Sequence, residues 1–151
     1  MKCLCSLSLF AALALAGPVA AQDLPPEVVA RKAQFKELQD HLAVLGNMAR
    51  GTAPYDAGAA DQAARAISEV AARDQSGLWP EGTDSANLAG TRALPAIWEN
   101  PEDFAARFEG LRLAAGQMEA AAGRDLAALQ GEIGNLSGAC GACHRPFRAP
   151  E

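Results

Sequence analysis

Cys140-Gly141-Ala142-Cys143-His144 is the stretch that decides how the rest of the chain is read. It has the form C-x-x-C-H, the attachment sequence for a c-type haem. Two thiols three positions apart can each form a thioether bond to one haem vinyl group. The imidazole that follows then lies where it can bind the iron as proximal ligand. Two other readings compete. A redox dithiol usually sits in a strand–helix setting, and no strand pattern precedes Cys140. A closed zinc site wants four ligands. Once the first 21 residues are set aside, only one further His and no further Cys remain.

Those 21 residues read as a secretory signal. Lys2 gives a short positive start, Leu7 to Ala16 is apolar apart from Ser8, and Val19-Ala20-Ala21 offers small residues for cleavage before Gln22. The apolar run is shorter than the roughly 20 residues a permanent membrane anchor needs. Cys3 and Cys5 leave with it, so of four cysteines only Cys140 and Cys143 stay. The expected location is the periplasm, with no stable membrane anchor. Residues 22–151 make one domain with one core. Its net charge moves from −5 to −6, because Lys2 is the only charged residue removed. An acidic exported chain has no broad attraction for nucleic acid. In an oxidising compartment a free C-x-x-C pair would tend to oxidise, whereas haem attachment gives both thiols a stable fate.

Working outward from the motif, the chain reads as four helices and no strands. The last carries Leu126, Leu129, Ile133, Leu136, Cys140, Cys143 and Phe147 at alternating spacings of three and four. Both cysteines therefore fall on its core stripe. Gly131, Gly134, Gly138 and Gly141 weaken this helix, which makes sense if a flat macrocycle lies close against it. The helix before it opens with Asn100-Pro101-Glu102-Asp103, a cap, a first-turn proline and two acids at the positive end of the dipole. It continues through Phe104, Phe108, Leu111, Ala115, Met118 and Ala122. The first helix is expected to be capped by Asp23 ahead of Pro25 and Pro26. Its stripe is Val28, Phe35, Leu38, Leu42, Leu45 and Ala49, and Gly51-Thr52-Ala53-Pro54 ends it. The second runs from about Ala57 to about Arg73 behind Asp56 as N-cap, with a small, alanine-rich inner face. Between Gln75 and Asn100 periodicity is lost, and long ordered loops often serve a site. Trp79 and Trp98 are its expected anchors. Four amphipathic helices with two short joins and one long loop give an antiparallel up-down four-helix bundle around a covalently bound haem.

Arg31 stands on the core stripe of the first helix between Val28 and Phe35. A guanidinium there costs several kcal/mol unless something anionic meets it. Two readings stay open: an arginine snorkelling at the end of the bundle, or one paired with a haem propionate.

With C-x-x-C-H at the C-terminal end of four helices, the chain resembles the cytochrome c′ family. The resemblance spans nearly all of Pro26 to Arg148. It includes Arg31-x-x-x-Phe35-Lys36-x-Leu38, Gly51-Thr52-Ala53-Pro54-Tyr55-Asp56, Trp79-Pro80-Glu81-Gly82-Thr83, Ile97-Trp98, and Cys140 through Arg148. It implies a periplasmic homodimer carrying one haem c per chain on Cys140 and Cys143. His144 would be the sole axial ligand of a five-coordinate high-spin iron, with Arg148 beside it. Arg31 and Lys32 resemble residues beside the propionates, and Thr91 and Arg92 resemble residues at the haem rim. Pro146 departs from the pattern and is expected to disturb the last helical turn.

Position 35 separates two functions on this fold. Low-spin relatives typically carry a Met there as sixth iron ligand. Phe35 cannot coordinate iron, so the expected function is binding of nitric oxide or carbon monoxide, with electron exchange to an unidentified redox partner. The alternative is a low-spin electron carrier that finds its sixth ligand in His41, Met48 or Met118. Of these, His41 is expected to face solvent, Met48 lies off the stripe, and Met118 reads as core packing. No acid–base pair is recognisable around the expected distal pocket, so neither a peroxidase nor a thiol oxidoreductase is expected.

Overall fold

The computed structural model describes residues 23–150, so the signal-sequence reading lies outside the described residues. Four long helices and one short one follow in order: α1 (Pro26–Ala49), α2 (Ala57–Ala71), α3 (Ala96–Glu99), α4 (Pro101–Ala122) and α5 (Leu126–Phe147). α1 packs on α2 and α5, and α4 packs on the same two helices from the other side. This is the expected four-helix bundle. At 24 residues α1 is the longest, about 36 Å.

Local signals set most helix ends. Asp56 caps α2 by accepting a hydrogen bond from the Ala59 amide. Asp125 does the same for α5 through the Ala128 amide. Two expected caps are not made. Pro25 occupies the cap position of α1 in place of Asp23, and its carbonyl takes the amides of Val28 and Val29. Asn100 makes no side-chain capping bond to α4; its side-chain amide donates backward to the Ala96 carbonyl instead. α2 stops at Ala71, two residues short of expectation. α5 carries Pro146 inside its last turn and ends at Phe147. That turn is held from outside, because the Leu94 amide donates to the Phe147 carbonyl and the Ala149 amide to the Arg92 carbonyl.

The two halves of the bundle differ. The half with the short turns is closed. Leu45, Met48, Ala60, Ala63, Ala64, Ala115, Met118 and Leu129 are all buried there. The alanines of α2 let its neighbours approach closely. Tyr55 donates to the Ala122 carbonyl at 2.9 Å, and Gln130 to the Ala49 carbonyl at 2.9 Å, which bolts the two turns together. Met48, expected off the stripe, belongs to this core. In the other half several residues of the same stripes are only partly buried. Phe35, Leu38, Leu42, Phe104, Phe108, Cys140 and Cys143 are all intermediate, because they line a cavity.

Residues 72–100 wrap the hollow end around one side chain. Arg31 is 2% exposed, so it does not snorkel. Its guanidinium donates to the Leu78 carbonyl at 3.1 Å, to Thr83 Oγ1 at 2.8 Å, to the Thr83 carbonyl at 2.6 Å and to Thr91 Oγ1 at 3.1 Å. It also lies over the Trp79 ring at 4.6 Å from the centroid. Trp79 and Trp98 are anchors as expected, with the Trp98 indole donating to the Trp79 carbonyl at 3.0 Å. Gly90, at φ +86°, turns the chain back toward the start of α1, where an added Cβ would come within 3.2 Å of Leu24 Cδ2.

Arg31→Met is therefore expected to destabilise the protein by about 3 kcal/mol, since it strands buried loop oxygens as well as removing charge-assisted bonds. A urea midpoint measures it. Lys36→Ala, which breaks the exposed pair with Asp40, is the control and should leave the midpoint nearly unchanged.

Candidate haem site

The hollow half encloses a cavity of about 750 Å³ between α1, α4, α5 and the long loop. That lies within the usual range for a cofactor site. All nine residues expected at the site line it: Arg31, Lys32 and Phe35 from α1, Thr91 and Arg92 from the loop, and Cys140, Cys143, His144 and Arg148 from the end of α5.

α5 brings the two thiols to one wall because residues three apart share a helix face. Both are free and half-buried. Burial, with the neighbouring Cys140, pushes the Cys143 thiol up to about 11, and burial also raises that of Cys140. A dithiol for redox exchange needs the opposite, a thiolate near neutral pH. Among the described residues no group of three or more His, Cys, Asp or Glu could hold a metal ion, whereas a closed zinc site wants four ligands. His144 is exposed at the helix end. Partial burial, then the charges of Arg148 and Arg92, hold its imidazole below the ordinary range. The neutral form that can bind iron is thereby favoured.

The lining is polarised. Arg31, Lys32, Lys36, Arg92, Arg107 and Arg148 all face the cavity, and among the described residues that line it none is acidic. In a chain of net charge −5 that segregation suits a ligand with carboxylates. Lys36 and Arg107 are balanced from outside by Asp40 at 2.7 Å and Asp103 at 2.9 Å. Lys32 reaches the Gly90 carbonyl at 2.8 Å. The Arg92 guanidinium holds the Ala149 carbonyl through Nε at 2.9 Å. Arg148 leaves the helix in an extended conformation and pairs with Ala93 in a single antiparallel bridge, so the tail and the loop close one edge together.

The apolar wall is aromatic. Phe35 lies 6.2 Å from both Trp79 and Phe108, and Trp79 meets Phe104 edge-on at 4.7 Å. Phe104 and Phe108 read in the sequence as core stripe residues, and their role as cavity wall was not visible there. Neither was that of Arg107. The signal was their density: Phe104, Arg107 and Phe108 fall on one face within two turns of α4. The glycines correct another expectation. Of the four in α5 only Gly141 lines the cavity. Gly131, Gly134 and Gly138 are exposed, and an added Cβ there would meet nothing within 4 Å. They sit on the solvent side of the helix and do not admit a macrocycle.

The donor set fits haem c. Two unpaired thiols on one face, a neighbouring imidazole, an apolar hollow and a cationic edge answer respectively to vinyl groups, iron, ring and propionates.

Residues 27–148 match the family described as Cytochrome C′. Cytochrome c-554 of Cereibacter sphaeroides is 40% identical over 137 residues, covering 89% of this chain and 90% of that protein. The structure of cytochrome c′ from Rhodobacter Spheriodes superposes with a TM-score of 0.80 at 34% identity, covering 83% of this chain and 96% of the other. A cytochrome c′ described as having ligand-controlled dimer dissociation superposes with a TM-score of 0.75 at 25% identity, covering 85% and 100%. The chain belongs to the cytochrome c′ family of class II c-type cytochromes, whose members carry covalently attached haem c in a four-helix bundle.

Proposed function

We propose that this is a periplasmic haem protein whose iron is held by His144 alone, binds nitric oxide or carbon monoxide on its other face, and exchanges electrons. One observation carries the reading. Among the described residues lining the cavity, His144 is the only histidine and there is no methionine. The sixth-ligand candidates lie elsewhere. Met118 is 0% exposed and Met48 6%, both in the closed half, and His41 is half-buried beside Glu37 without lining the cavity. Two lysines reach the lining, but Lys36 is held by Asp40 and Lys32 by the Gly90 carbonyl. The low-spin electron-carrier alternative would need one of these groups to move.

The haem would supply a one-electron iron centre able to take a diatomic ligand. Cys140 and Cys143 would hold the macrocycle to α5, and His144 would hold the iron. Arg31 and Lys32 would face the propionates, with Thr91 and Arg92 along the rim and Arg148 beside His144. Arg31 gives four N–H contacts to the loop, so its first duty is to fix that wall and its second is to lend positive charge. Phe35 excludes water and donates no hydrogen bond. That disfavours oxygen, whose bound form gains from a polar donor, and tolerates nitric oxide and carbon monoxide. For a homodimer through α1 the supporting feature is exposed apolar surface: Val29 is 51% and Val44 38% exposed.

Four outcomes are expected. After expression with the haem-attachment machinery, haem stays with the protein through acid–acetone extraction; its loss to the solvent would refute attachment at Cys140 and Cys143. The ferrous protein changes spectrum on adding carbon monoxide. Phe35→Ala speeds that association, whereas Phe35→Met gives a six-coordinate low-spin spectrum and stops it. Unchanged kinetics in both variants would remove Phe35 from the gas site. Sedimentation at micromolar concentration gives a dimer in at least one ligand state, and Val29→Glu with Val44→Glu gives a monomer; a wild-type monomer in both states contradicts the dimer.

A further inference from the structure

A second hollow, of about 630 Å³, lies against the cavity wall. Trp79, Ile97, Phe104 and Phe108 line both spaces, so the partition is one side chain thick. Its remaining walls come from the end of α2, from α3 and from the outer face of α4, where Ala72 and Ala105 border the groove without lining the haem cavity.

The two spaces differ in charge. Among the described residues, six cations and no acid line the haem cavity. The outer groove has two of each, Arg73, Arg112, Glu81 and Glu109. Two of these charges answer each other, Arg112 with Glu109, and Arg73 is bound to Glu37 at 2.7 Å. With two cations and two acids at its rim and aromatic rings on its floor, the groove has no net charge to favour a hydrated ion. It suits a small neutral molecule with little hydration to lose.

The partition itself is built of edges. Trp79 meets Phe104 and Phe108 at centroid distances of 4.7 and 6.3 Å, and Phe104 meets Phe108 at 5.1 Å, all T-shaped. Edge-to-face pairs gain only modestly beyond their area burial, so transient tilting of these rings is the motion that would admit a diatomic molecule. The cavity's approach along α1 runs past exposed Lys32, Lys36 and Gln39, where hydrated side chains crowd the opening.

We infer that the outer groove is an antechamber for small neutral apolar molecules, through which a diatomic gas enters the haem cavity across the Trp79–Phe104–Phe108 partition. This rests on the gas-binding reading above.

Ala105→Trp and Ala72→Phe fill the groove from exposed positions outside the haem cavity. Flash photolysis of the ferrous carbon monoxide complex should show association slowed several-fold in each, with the ligand-free and carbon monoxide spectra unchanged. Gln39→Trp, at the other opening, should leave the rate as it is. Xenon-pressurised crystals of the wild-type holoprotein should show xenon in the groove, and crystals of Ala105→Trp should not. Unslowed association in both filled variants, slowing confined to Gln39→Trp, or a groove empty of xenon overturns the antechamber while leaving gas binding intact. A wild-type ferrous protein with no carbon monoxide spectrum overturns gas binding and the antechamber together.

Discussion

A buried guanidinium that meets only neutral partners is the constraint on which the hollow end of this bundle depends. Arg31 sits at 2% exposure on the inner face of α1. Burial lowers its pKa, yet an arginine stays charged in any folded setting. Its hydrogen bonds must therefore be made, and the chain makes them with Leu78, Thr83 and Thr91. Those contacts carry the loop across the end of the bundle and hold Trp79 against the guanidinium. The aromatic wall follows, because Trp79 is the ring that touches Phe35, Phe104 and Phe108.

The same bundle is solid at one end and hollow at the other through choice of side chain alone. Small alanines on α2 with Leu45, Met118 and Leu129 fill the closed half. Phenylalanines and cysteines of the same stripes stand around a space in the other half. Leaving that much apolar surface uncovered costs free energy, and a large apolar cofactor offsets the cost. Structure and attachment chemistry thus converge on the end of α5, where the cysteines close the hollow and the tail from Phe147 to Ala149 is tied to Arg92 and Leu94.

Much of this was legible from residue spacing. The three–four alternation placed all four long helices, and it put both cysteines on an inner face. The nine candidate site residues were identified from the motif, from Arg31's misplaced charge and from family resemblance, and all nine line one cavity. What was not legible depended on contacts distant in sequence. Nothing near Arg31 announces Leu78 or Thr83 as acceptors, since a backbone carbonyl has no sequence signature. α3 is a single turn, too short to show a period. Asp23 loses the cap because Pro25 and Pro26 start the helix without it. Pro146 is accommodated because the amide it lacks falls in a turn that the loop holds from outside. The glycines of α5 misled because weak helix propensity marks a position without saying which way it faces.

The iron spin state of the ligand-free ferrous protein tests the central claim most directly. With His144 as the sole protein ligand, magnetic susceptibility should show a paramagnetic, high-spin iron. A diamagnetic, low-spin iron in the wild-type protein would mean that a second side chain reaches the metal, and the open gas-binding face would not exist.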